Sequence, residues 1–226
     1  MKSFNWKEKS KEEWDNRASY WSSRSQNMWD SGSRKDIIPF LNKHLASQSK
    51  ILDVGCGDGY GTNKLHTLGH ELIGVDISEE MITHAKKKNS NIPFLVADVQ
   101  DIPLEDKSVD AIVCINVLEW VEVPYHALEE FKRIVSKDGL LCVGILGPTA
   151  GPRTNGYRKV YGDHTISNTM MPWEFQKLAE ENGFTLVDEL AVYKEGVKKQ
   201  HYEGLSTQLK QALSFMWVFL LRKEGK

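Results

Sequence analysis

Apolar residues in this chain fall into short runs separated by amphipathic stretches. "KILDVG" (50–55), "ELIGVD" (71–76), "PFLVAD" (93–98), "VDAIVCIN" (109–116) and "GLLCVGIL" (139–146) are rich in Val, Ile and Leu. Runs of this length and kind predict strands buried on both faces. Between them, "SEEMITHAKKK" (78–88) starts at a capping serine and ends in lysines, as a helix dipole favours. "PYHALEEFKRIVSKDG" (124–139) starts at a proline, repeats its apolar positions near every 3.6 residues and stops at Gly139. Strand–helix alternation predicts a parallel α/β sheet with helices on both faces.

The pattern changes at both ends. Residues 1–47 predict two helices, about 7–21 and 33–46, and hold Trp6, Trp14, Trp21 and Trp29 beside Tyr20. After residue 146 comes "GPTAGPRTNGYRKVYGDHTISNTMMP", a long Gly- and Pro-rich loop of the kind that is functional or mobile. "PWEFQKLAEENGF" (172–184) resumes as a helix, and "TLVDELAVY" (185–193) and "SFMWVFLLRK" (214–223) predict two more strands. No repeat or low-complexity tract interrupts the chain.

The totals narrow the function classes. The 226 residues are 40% hydrophobic and 27% charged, enough for one large domain, and the net charge is −2. That balance gives no general attraction to nucleic acid or anionic lipid. Cys56, Cys114 and Cys142 form neither a disulfide framework nor a zinc pattern and read as buried thiols in a reducing compartment. The N-terminus is too charged for a signal peptide, and the longest apolar run is too short to span a bilayer. A cytoplasmic protein without membrane or metal is expected.

The densest chemistry is in "LDVGCGDGYG" (52–61), where Gly55, Gly57, Gly59 and Gly61 alternate, with one acid, Asp53, in front of them and another, Asp58, among them. A glycine turn after a buried strand lets a ligand approach the backbone closely. The dinucleotide fingerprint G-x-G-x-x-G fails here: three positions beyond Gly57 stands Tyr60, and three beyond Gly59 stands Thr62. Two carboxylates would repel a pyrophosphate and welcome a cation. Asp76 ends the next strand, where open α/β sheets place a carboxylate for ribose hydroxyls. Asp98 ends the third and suits an exocyclic amine such as adenine N6. The order implies an amine-bearing group, a ribose and an adenine along one sheet edge.

In these motifs, and in "NVLEWV…ALEEFKRIVSKDGLL", the chain resembles the class I S-adenosylmethionine-dependent methyltransferases of the small-molecule branch, over roughly residues 35–193. The resemblance implies a Rossmann-like, doubly wound seven-stranded sheet, mostly parallel with an antiparallel last strand. It implies one domain over residues 1–226: an N-terminal helical cap (1–47), a cofactor-binding core (48–146), a lid loop (147–171) and a closing helix with strands (172–226). It further implies that Asp53 and the backbone of Gly55, Cys56, Gly57 and Gly59 face the methionine part of the cofactor. Asp76 would hold the ribose, Ile77 and Met81 the adenine face, Asp98 and Val99 its edge, and Asn116 and Val117 the floor under the sulfonium. Arg24 or Arg34 would meet the cofactor carboxylate.

The acceptor side is less defined. Tyr20 and Trp21 are the cap residues picked for substrate contact. Trp120 replaces the family's common histidine after Glu119, and either walls the acceptor pocket or packs its helix. Tyr157, Tyr161 and His164 belong to the lid, with His164 and Tyr161 the candidate catalytic groups. Methyl transfer needs a base only when the acceptor must lose a proton. The absence of an N-P-P-Y-like motif and of a basic stripe favours a small-molecule acceptor over nucleic acid, in a monomer or homodimer. An RNA- or protein-directed enzyme and a non-catalytic nucleoside binder are the alternatives.

Overall fold

The computed structural model describes residues 4–225; the first three residues of the predicted cap, and residue 226, lie outside them. In chain order the elements are α1 (Trp6–Asp30), α2 (Ile37–Asn42), β1 (Lys50–Val54), α3 (Tyr60–His66), β2 (Glu71–Asp76), α4 (Glu79–Lys88), β3 (Phe94–Val96), β4 (Val109–Ile115), α5 (Pro124–Ile134), β5 (Val135–Leu146), α6 (Pro172–Glu181), β6 (Phe184–Tyr193), α7 (Lys199–Tyr202), α8 (Thr207–Ala212) and β7 (Ser214–Lys223). Two 3₁₀ helices, Leu118–Trp120 and Gly151–Tyr161, complete the order.

All seven strands form one sheet in the order β3-β2-β1-β4-β5-β7-β6. β1 to β5 pair in parallel, and β7 slots between β5 and β6 antiparallel to both. The expected Rossmann-like sheet with an antiparallel last strand is therefore present.

The buried runs explain the two-sided packing. Successive strand residues point to opposite faces. Leu52, Val54, Phe219 and Leu221 join the core under α5 and α6. Ile51, Val218 and Leu220 join the other core, with Leu65, Ile82 and Ala85 from α3 and α4. Each such Leu, Ile or Phe contributes roughly 1.5–3 kcal/mol by leaving water. The strand order reverses between β1 and β4, so the crevice at their carboxyl ends is where an open α/β sheet receives a ligand.

Several boundaries differ from the sequence pattern, each for a local reason. The first cap helix runs on to Asp30 because nothing from residue 6 to residue 31 is Gly or Pro, and its last turn is held by Trp29, buried against Gly61. α2 is only six residues. β3 is three residues, so Asp98 lies just past its end. α5 stops at Ile134, and β5 begins four residues before Gly139: Val135 already pairs with Val109, and the strand is then irregular around Asp138, whose φ is 60°. The stretch 147–171 is not wholly loop; it carries the 3₁₀ helix Gly151–Tyr161, fastened by Arg153 donating to the Leu146 and Met170 carbonyls.

Candidate functional site

The glycine turn is held from beneath by β2. Gly55 and Cys56 donate their N–H groups to the Val75 carbonyl at 2.8 and 3.0 Å. Asp76 completes the hold: one carboxylate oxygen accepts from Gly57 N and the other from Ser78 N, both at 2.9 Å. One side chain therefore fixes the turn and the start of α4. Burial pushes Asp76 up to about 6, against the pull of those N–H donors. Gly57 has φ +55°, and a Cβ there would meet nothing nearer than Met81 Sδ at 3.9 Å. The backbone is bare toward open space. At Gly55, with φ +66°, a Cβ would come within 2.2 Å of Val117 Cγ2, so this glycine is required for close packing instead.

Asp53 sits one layer lower. It is buried, accepts the Thr62 hydroxyl at 2.6 Å and is pushed by burial up to about 6, with Arg34 pulling the other way. Asp58 pairs with Lys88 and accepts from Ser22 Oγ at 3.1 Å.

Over the strand ends lies α1, tied down by polar contacts along its length. Lys7 pairs with Asp98 at 3.2 Å and Lys11 with Glu79 at 2.8 Å. Asp15 accepts the Ser78 hydroxyl at 2.7 Å, and Asp30 accepts from Tyr60 and Lys64. Exposed pairs of this kind are each worth about 0–1 kcal/mol.

Between α1 and the sheet is a cavity of about 210 Å³. One half is walled by Gly55, Gly57, Asp76, Met81, Asp98 and Val99. The other is walled by Trp6, Trp14, Trp120, Leu146, Pro152 and Phe215. Asn116 and Val117 stand where the halves meet; Asn116 has φ 59° and its N–H donates to the Gly144 carbonyl at 2.9 Å.

A family model described as "Methyltransferase domain" matches residues 52–143, the stretch that builds the first half of this cavity. A Mycobacterium tuberculosis protein named as a probable S-adenosylmethionine-dependent methyltransferase is 30% identical over 93 residues, 41% of this chain and 34% of that one. The family match over residues 52–143 and this relative support the resemblance to class I S-adenosylmethionine-dependent methyltransferases. A malonyl-acyl-carrier-protein O-methyltransferase of Hamiltonella defensa is 30% identical over 99 residues, 44% of this chain and 38% of that one. The matched segment spans between a third and about half the length of such curated relatives. Among solved structures, a chain of the complex between the Haloferax volcanii Trm112 methyltransferase activator and a methyltransferase superposes with TM-score 0.75 at 16% identity, covering 96% of this chain and 98% of that one. At that identity the likeness shows the fold.

The cavity residues fit S-adenosyl-L-methionine, the cofactor that these relatives imply. The backbone above Gly57 is open, the half-buried Asp76 carboxylate stands at the end of β2, and a cation lines the same cavity. That cation is Arg34: its guanidinium lines the cavity 5.4 Å from the Trp29 ring and makes no hydrogen bond or ion pair with another described residue. Burial works against its charge, while Asp53, Asp58 and Glu119 support it. Arg24, the other candidate, lies 4.6 Å over the exposed Tyr20 ring and does not line the cavity.

Of the residues picked from sequence for the cofactor, Gly55, Cys56, Gly57, Asp76, Ile77, Met81, Asp98, Val99, Asn116, Val117 and Arg34 all line the cavity. Asp53 and Gly59 do not; Asp53 supports the turn through Thr62 on α3, and Gly59, at φ +76°, packs toward Phe94 and Ala85. Of those picked for substrate, Trp21 and Trp120 line it. Tyr20, Tyr157, Tyr161 and His164 lie outside it. Tyr157 and Tyr161, four residues apart, point to solvent from the 3₁₀ helix, because Pro152 and Arg153 turn its other side inward. His164 stacks on Phe4, ring centroids 5.0 Å apart. Sequence reasoning passed over Trp6, Ser10, Trp14 and Phe215 as cavity residues. For Ser10 and Trp14 the signal was spacing: positions 7, 10, 14, 21, 25 and 28 of α1 recur at intervals of three, four or seven, one helical face, and all line the cavity.

Proposed function

We propose that this chain transfers a methyl group from S-adenosyl-L-methionine to a small-molecule acceptor. The observation that carries the reading is the second half of the cavity. It is covered by α1 and walled by indole and phenyl rings.

When bound, the cofactor supplies a methyl group on a sulfonium, an electrophile with its own leaving group. The chain's residues do the rest by binding and alignment, which can be worth about 7–11 kcal/mol in a well-oriented reaction. Asp76, once ionised, accepts the ribose hydroxyls while it keeps the turn in place. Asp98 and Val99 read the adenine edge, and Lys7 gives up its contact with Asp98 as the base enters. Ile77 and Met81 pack on the adenine, and Arg34 pairs with the carboxylate. Asn116 and Val117 form the floor at the reacting carbon, and α1 excludes water. Glu119, buried behind that floor, accepts the Leu146 N–H; burial raises its pKa, so it serves as a fixed support.

A macromolecular acceptor is the second reading, favoured by the exposed Tyr157, Val160 and Tyr161 on the lid and by the fold neighbour solved with a protein activator. Against it, Arg158 is paired with Asp163 and Lys159 donates to the Ser167 carbonyl, so the lid's cations are already engaged. Calorimetry with S-adenosylhomocysteine, followed by methyl transfer from labelled donor to small-molecule and tRNA pools, tests the choice. Micromolar nucleoside binding with label only in small molecules supports it. Label in tRNA, with salt-sensitive tRNA binding, would overturn it; nucleoside binding with no transfer to any pool would leave a sensor instead.

A further inference from the structure

Five of the chain's seven tryptophans line one cavity: Trp6, Trp14, Trp21, Trp29 and Trp120. Trp29 stands beside Arg34, in the half assigned to the cofactor. The others gather toward Phe215 and Leu146. Trp14 meets Trp120 at 5.6 Å between centroids and 75°, and Trp21 at 6.3 Å and 51°. Two hydrogen bonds set this corner: Trp120 Nε1 donates to the Asn116 carbonyl at 3.0 Å, and Trp6 Nε1 to the Trp120 carbonyl at 2.7 Å. The corner is therefore built directly onto the residue under the reacting carbon. Ser10 adds a buried hydroxyl with no partner among the described residues.

What the corner lacks is equally informative. The carboxylates lining the cavity are Asp58, Asp76, Asp98 and Glu122. The first three are engaged, by Lys88, by backbone N–H groups and by Lys7, and Glu122 is exposed. Among the described residues no histidine lines it, and the thiol of Cys56 is pushed up by burial. The one carboxylate of the cavity left without a partner among the described residues, Glu122, is exposed to solvent, so an acceptor held among the rings finds no buried group to take a proton. An anionic acceptor would be stripped of water against rings whose faces are themselves electronegative. Those same faces attract a cation, as Arg17 already does 5.9 Å over the Trp14 ring and Lys159 5.7 Å over the Trp6 ring.

We propose that the acceptor is an uncharged molecule whose methylated atom carries a free lone pair and no proton, such as a heteroaromatic ring nitrogen or a thioether sulfur, and that Trp14, Trp21 and Trp120 hold the cationic product. This rests on the reading of the cavity as a methyl-transfer site. The acceptor's lone pair forms the new bond to carbon, and the methyl–sulfur bond of the donor breaks with its electron pair left on that sulfur. The positive charge passes to the acceptor, and no proton is released.

Three probes of similar ring size test it: quinoline, N-methylquinolinium and 2-naphthoate, titrated into protein saturated with S-adenosylhomocysteine. N-methylquinolinium is expected to quench tryptophan fluorescence and to bind at least about tenfold tighter than 2-naphthoate, as cation–ring attraction in a desolvated site allows. Trp14→Leu should bring the two within about threefold, and Trp14→Phe, which keeps a ring, should retain the preference. Equal or tighter binding of 2-naphthoate, failure of every probe to bind, or a preference that survives Trp14→Leu would overturn the assignment. Failure of the initial S-adenosylhomocysteine titration would instead remove the methyl-transfer reading beneath it.

Discussion

At the carboxyl ends of β1 and β2 the cavity wall is bare backbone and carboxylate; across from it, on α1 and at Phe215, the wall is indole and phenyl. The first wall comes from about 25 consecutive residues, Val54 to Ile77, whose geometry is fixed by hydrogen bonds to one strand. The second is gathered from α1, the turn after β4, the lid and β7, more than 200 residues apart in the chain. Local construction gives a rigid seat for a ligand of fixed shape. Long-range construction, resting on a helix held by surface polar contacts, gives a wall that relatives of the same fold can rebuild without disturbing the seat.

The largest expected effect falls on the local wall. Asp76→Ala removes a buried acceptor from Gly57 and Ser78 as well as from the ribose. It should weaken S-adenosylhomocysteine binding roughly thirtyfold, about 2 kcal/mol, in calorimetry. Wild-type affinity there would break the division.

Acid should act on the same wall. With Asp76 near 6, only about one molecule in eleven is ionised at pH 5, so affinity should fall about tenfold from its neutral value. Stability of the unliganded chain should move the opposite way. Asp53 and Asp76 are both raised, so between about pH 4 and 6 the folded chain keeps protons that the unfolded chain has lost. Their stabilising contribution is complete below about pH 4 and is lost as pH rises through about 6. Affinity and melting temperature rising together over this range would argue against ionisation of Asp76 as the binding step.

Arg34→Met sharpens the comparison within the cofactor half. It should cost S-adenosylhomocysteine about fivefold, about 1 kcal/mol, and leave 5′-methylthioadenosine, which has no carboxylate, unchanged. Equal losses for both would mean that Arg34 supports the fold instead. The smallest effect is expected outside the cavity. His164→Ala should change cofactor affinity and turnover by less than about twofold, as for an exposed side chain away from the site. A tenfold fall in turnover would bring the lid back into the chemistry.

The sequence was readable where chemistry is local. The glycine spacing, Asp76 and Asp98 required only that strands end where apolar runs end, and Gly55, Gly57, Asp76 and Asp98 do line the cavity. It was less readable where position depends on how far a helix runs. The pattern ends the first cap helix near residue 21, short of Trp29, whereas α1 runs to Asp30 and carries Trp6, Trp14 and Trp29 into the cavity wall. The lid misled in another way: tyrosines and a histidine in a Gly-rich segment suggest contact with a substrate, but the 3₁₀ helix turns Tyr157 and Tyr161 outward. Asp53 reads as a ligand from its place beside the turn, yet its bond to Thr62 makes it a brace between β1 and α3.

The placement of α1 has one more consequence. Lys7 and Ser22 flank the half of the cavity proposed for the nucleoside, while Trp6 and Trp14, from the same helix, wall the other half. The acceptor compartment therefore has no separate existence: undock the helix and both chambers open at once. Whatever free energy one ligand spends in seating α1 is already spent for the other, and by linkage the benefit is mutual. A roof shared in this way makes the two occupants partners in each other's residence, although they touch at a single carbon.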